Sequence, residues 1–93
     1  MAEFLVEVYV SYGDSDTVGR DVQRMRRAAG ELTAEGTPVQ VLRSIFVPAD
    51  ETCFFLFEAG SPELVHEAAR RASLSCDHVA EAASDTFWKA TGH

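Results

Sequence analysis

Between Thr37 and Ala59 the chain reads TPVQVLRSIFVPADETCFFLFEA, two stretches apolar on both faces and parted by Pro48-Ala49-Asp50-Glu51. The pattern predicts a second strand from Val39 to Val47, a four-residue turn, and a third strand from Thr52 to Glu58. Strands of this composition need cover on both sides. A four-residue turn sets Val47 against Thr52. One face then pairs Phe46 with Cys53, Ser44 with Phe55 and Leu42 with Phe57, and the other pairs Ile45 with Phe54, Arg43 with Leu56 and Val41 with Glu58. The first face is expected to lie under helices.

Upstream, Phe4, Val6, Val8 and Val10 alternate with Leu5, Glu7 and Tyr9, the period of a first strand. Tyr12, Gly13 and Asp14 break it, and Asp14 or Ser15 is placed to cap a helix. Val18, Val22, Met25, Ala29 and Leu32 recur at helical spacing up to Gly36, a left-handed cap. Ser61-Pro62-Glu63 opens a second helix with buried stripe Leu64, Val65, Ala68, Ala69 and Ala72. Asp77 to Ala82 is a short fourth strand, followed by a tail whose large apolar residues are Phe87 and Trp88. The order strand, helix, strand, strand, helix, strand predicts an α+β, ferredoxin-like βαββαβ sandwich: an antiparallel sheet with both helices on one face. Residues 1–93 read as one domain.

A chain of this length buries only about 60 to 65 % of the surface it exposes unfolded, so the uncovered sheet face calls for a second copy. The expected assembly is a homodimer through that face, of the dimeric α/β-barrel type. Fifteen acidic residues against eight basic ones give a net charge of -7, and the basic residues do not gather beside aromatics. Nucleic acid is therefore not an expected partner. No apolar run is long enough to span a bilayer, and MAEFLVEVYV, with Glu3 and Glu7 inside it, reads as a strand rather than a leader. The expected location is the cytoplasm, with Cys53 and Cys76 reduced.

In this strand order the first and third strands are neighbours, so Glu7 and Tyr9 share the open face with Arg43 and Glu58. Arg43 between Glu7 and Glu58 reads either as an interfacial ion pair or as the polar rim of a pocket. Glu63 and His66 stand three apart on the second helix, and Cys76 and His78 are spaced to share a strand face, a thiol and an imidazole suited to nickel or zinc. A Gly-rich phosphate loop and a nucleophile elbow are both missing from the sequence.

The segment LRSIFVPADETCFFLFEAGSPELVHEAARRASLSCDHVAE, with EFLVEVYV before it, resembles a family of small bacterial proteins described as nickel-responsive and ferredoxin-like, mostly of unknown function. The resemblance is densest from Arg43 to Glu81 and carries the core RSxFVPxDETCFxLFEA. It implies the ferredoxin-like fold, dimerisation, and nickel at the dimer surface. The histidines that many relatives place in the second strand and second helix correspond here to Arg43 and Ala68, which leaves His66, His78 and His93 as imidazoles, with Cys76 and Glu63 nearby.

Three functions follow. One is a dimeric binding protein for nickel, another divalent metal or a small molecule. A second is a cofactor-independent enzyme of the dimeric α/β-barrel type, monooxygenase- or cyclase-like, in which Tyr9, Arg43 and Glu7 or Glu58 polarise a small organic substrate. The third is an interaction module with no ligand, its face filled by Leu5, Phe54, Leu56 and Trp88.

Overall fold

A computed structural model describes residues 1–11 and 15–83. The capping residues Asp14 and Ser15, the tail aromatics Phe87 and Trp88, and His93 fall outside the described residues or side chains. The elements are β1 (Ala2–Tyr9), α1 (Ser15–Ala34), β2 (Val39–Val47), a single 3-10 turn (Pro48–Asp50), β3 (Thr52–Ala59), α2 (Pro62–Arg71) and β4 (His78–Ala82). The sheet order is β2-β3-β1-β4, every neighbour antiparallel. This is the expected ferredoxin-like arrangement.

Alternation along β1 and β3 divides the sheet into two faces. Phe4, Val6, Val8, Cys53, Phe55 and Phe57 are buried with Met25, Ala28, Ala29 and Leu32 of α1 and Val65, Ala68 and Ala69 of α2. The small residues of α2 bring its backbone close to the sheet, and Phe55 and Phe57 lie with ring centroids 6.4 Å apart, tilted by 50°. Burying a phenylalanine removes enough apolar area from water to contribute about 2–3 kcal/mol.

Both helices end alike. At Gly36, with φ of 97°, the Gly36 amide bonds to the Thr33 carbonyl and the Thr37 amide to the Leu32 carbonyl. At Ser73, with φ of 59°, the Ser73 amide bonds to Arg70 and the Leu74 amide to Ala69. These paired bonds satisfy carbonyls that a helix end leaves open. Ser61 occupies the N-cap position of α2 with Pro62 after it, and its side chain makes no capping hydrogen bond.

The β2–β3 register holds as expected from Val47–Thr52 to Arg43–Leu56 and then shifts. A bulge at Leu42 sets Val41 opposite Phe57 and Gln40 opposite Glu58, in place of the expected Leu42–Phe57 and Val41–Glu58 pairs. Val41 therefore belongs to the helix-covered core and Leu42 does not. The cause lies in the residues. A regular ladder would bury Gln40 and expose Val39 and Val41, whereas one extra residue buries both valines and turns Gln40 outward. The Arg26 Nη1 donates to the Val41 carbonyl at 3.0 Å beside the bulge, so α1 holds the edge strand at this point.

Candidate functional site

Directly opposed residues of antiparallel strands share a face, and the registers map the side of the sheet away from the helices. From β2 to β4 its rows run Ile45, Phe54, Glu7, His78; then Arg43, Leu56, Leu5, Ala80; then Gln40, Glu58, Glu3, Ala82. Apolar residues hold the middle: Leu5, Phe54 and Leu56 are partly covered and Ile45 is 51 % exposed.

The four candidates expected on the open face are spread over it. Tyr9 lies opposite Thr52 at its end, where the hydroxyl is 3.3 Å from Ser11 Oγ and donates to Glu51 Oε2 at 3.5 Å. Arg43 is diagonal to Glu58 on the adjacent strand, but β3 intervenes between Arg43 and Glu7, a lateral step of about 10 Å. Glu7 and Glu58 are two rows apart, about 13 Å along the strands. Among the described residues no ion pair joins Arg43 to a carboxylate. The expected Glu7–Arg43–Glu58 cluster is not assembled, because both carboxylates reach Arg43 only if the register compresses three rows into one.

What the sheet does bring together is Glu7 and His78, direct partners across β1 and β4. Cross-strand partners have Cβ atoms about 5 Å apart, close enough for one ion to touch a carboxylate and an imidazole at once. The other metal candidates go elsewhere. His66 and Glu63 stand exposed on α2, across the sheet from His78. Cys76 packs against the helix-covered core instead of sharing a face with His78, and burial, helped by Asp77, pushes its thiol up and away from the thiolate a metal needs. Burial, then Asp21, does the same to Cys53. Arg43 lies on the open face, while Ala68 is fully buried in the core, so these two positions are on opposite sides of the sheet.

Among the described residues no three of His, Cys, Asp and Glu gather closely enough to hold a metal. One subunit thus offers a pair of donors at Glu7 and His78, short of a complete coordination sphere. Two rows away the open face adds Glu3 opposite Glu58, and Glu3 Oε1 is buried without a hydrogen-bond partner among the described residues. Glu3 was not singled out from sequence, although it stands four residues from Glu7 on the same strand face.

Arg71 also emerges only in the structure. Its guanidinium bonds to Glu35 at 2.7 and 2.9 Å and to Glu67 at 2.8 Å, joining the end of α1 to α2. Arg70 and Arg71 together lower the Glu67 carboxyl to about 2, and Arg71 lowers Glu35. The i,i+4 spacing of Glu67 and Arg71 was the available signal.

A family model described as nickel responsive protein SCO4226-like matches residues 6–82. Among solved structures, the crystal structure of SCO4226 from Streptomyces coelicolor A3(2) is similar, with a TM-score of 0.75 and 21 % sequence identity over 89 % of this chain and 98 % of that one. That likeness bears on the fold. No curated protein matches the chain. No helix among the described residues is long and apolar enough to cross a membrane.

Proposed function

Because this chain belongs to the SCO4226-like family of nickel responsive proteins, we propose that it is a homodimeric protein of the bacterial cytoplasm that binds nickel or another divalent metal at the open sheet face. The observation that carries this reading is the pairing of Glu7 with His78 on the face its own helices leave bare. Two donors are too few for nickel or zinc, and a second copy laid on that face supplies a second carboxylate–imidazole pair. The apolar rows around Leu5, Phe54 and Leu56 give such a dimer its area. The enzyme alternative draws less support, since Tyr9, Arg43, Glu7 and Glu58 line no common chamber among the described residues.

Titration of tag-free protein with nickel in a calorimeter, with sedimentation of the same samples, tests the proposal. Micromolar nickel is expected to release heat with wild type and with His66→Ala, and to lose that heat with His78→Ala. Glu7→Gln is expected to weaken binding by about tenfold or more, as loss of a ligand or its close support does. Full nickel binding by His78→Ala, or nickel-loaded protein sedimenting as single subunits, would overturn it.

A further inference from the structure

On the far side of the molecule, α1 carries a run of arginines on its exposed side. Arg20, Arg24, Arg26 and Arg27 fall in its first thirteen residues, all beyond the first turn; its last turn holds no basic residue, and Glu31 and Glu35 lie toward its C-terminal end. The acidic residue of its first turn is Asp16. The arginines are also not consumed by ion pairs. Arg24 alone has a carboxylate near, Asp21 at 3.6 Å, while Arg20 and Arg27 have no ion pair among the described residues. Arg26 is turned to the Val41 carbonyl instead.

Arg20, Arg24 and Arg27 succeed one another a turn apart and line an open groove of about 540 Å³ together with Gly19, Gln23 and one carboxylate, Asp16. A Cβ at Gly19 would meet nothing within 4 Å, so a neighbouring chain can approach the helix backbone there. Arg24 and Arg27 also border a smaller polar cleft of about 190 Å³ that leads to Arg71. In a chain with net charge of -7, this stripe is a local gathering of positive charge.

We propose that the outer face of α1 docks an acidic polypeptide segment of a partner protein, its carboxylates meeting Arg20, Arg24 and Arg27. The stripe spans about 10 Å, the length of two helical turns, which suits a short run of Asp or Glu. A nucleic-acid strand fits less well, because no aromatic side chain that could stack a base is among the described lining residues.

Fluorescence anisotropy of dye-labelled oligoglutamate, with single-stranded DNA of matching length as the rival probe, tests the assignment on the full chain. Oligoglutamate is expected to bind at low ionic strength and to be released near 1 M salt, where the screening length is about 3 Å. The triple variant Arg20→Gln, Arg24→Gln, Arg27→Gln, with its helical circular dichroism intact, is expected to weaken binding by about tenfold or more. Arg20→Gln and Arg27→Gln alone, which keep the result readable if the triple variant misfolds, are expected to weaken it by about two- to fivefold each. Arg70→Gln is expected to leave it unchanged. Absence of oligoglutamate binding, binding that survives the arginine substitutions, or DNA held as tightly through the same arginines would each overturn the proposal.

Discussion

At Glu3 the molecule sets two like charges face to face. The carboxylate sits directly across from Glu58, and one of its oxygens is buried without a hydrogen bond among the described residues. Like charges at directly opposed strand positions are destabilising, and a buried acceptor left unpaired adds to that. Glu3→Gln keeps the shape, removes one charge and gives an amide that can donate to Glu58. The variant is expected to raise stability by roughly 0.5–1 kcal/mol, read as a shift in the urea midpoint at constant slope. An unchanged or lower midpoint would mean that the carboxylate is already compensated.

At the scale of elements, the bulge in β2 and the clamp between the helices each make a prediction. Val41 is 3 % exposed and Leu42 36 % exposed, the reverse of a regular ladder. Val41→Asp is therefore expected to cost about 3 kcal/mol or more, as an unpaired charge in a core does, while Leu42→Asp stays within about 1 kcal/mol. Denaturant titration of the two variants distinguishes the registers, since a regular ladder exchanges the outcomes. The clamp responds to acid. Arg70 and Arg71 hold Glu67 down from its ordinary 4.5 to about 2, and Arg71 holds Glu35 down as well. A carboxyl whose folded value is depressed contributes stability that is complete above its unfolded value and is lost as pH falls towards the folded one. The gap in melting temperature between wild type and Arg71→Gln is thus expected to be constant above about pH 5 and to close towards pH 2. A gap that persists at pH 2 would assign Arg71 a packing role instead. These two features also mark what was legible in the sequence. Period-two alternation and turn residues gave the element order, both ends of β2 and five consecutive β2–β3 pairs, because burial of one face specifies register strongly. The bulge escaped that counting, although polar Gln40 between Val39 and Val41, set against polar Arg43, already records a change of phase. Glu7 was legible as an open-face residue and His78 as a donor. Their pairing was not, because it depends on which edge β4 joins and at what register, and five residues with little alternation do not specify that.

For the whole molecule, charge and apolar surface divide between the two sides of the sheet. Among the described residues the open face carries Glu3, Glu7 and Glu58 against the single guanidinium of Arg43, around the apolar middle of Leu5, Phe54 and Leu56, while the outer side of α1 carries the arginine stripe. Two copies meeting through their open faces bring carboxylates towards carboxylates, so the apolar rows must overcome a repulsion that salt can screen. Self-association is therefore expected to tighten as ionic strength rises from about 0.01 M to about 0.15 M, the screening length falling from about 30 Å to about 8 Å. Micromolar nickel is expected to produce the same tightening at low salt by neutralising Glu7 directly. Acidic peptide on the arginine stripe must do the opposite and dissociate over that range, since attraction between unlike charges is what salt removes. Sedimentation velocity across the two salt concentrations reads the first effect without any probe. Association that weakens with salt would mean that unlike charges hold the copies together, the carboxylate face of one subunit on the α1 stripe of the next. Such a contact joins different surfaces and does not close on itself, so it would give concentration-dependent chains larger than a dimer in place of the face-to-face pair.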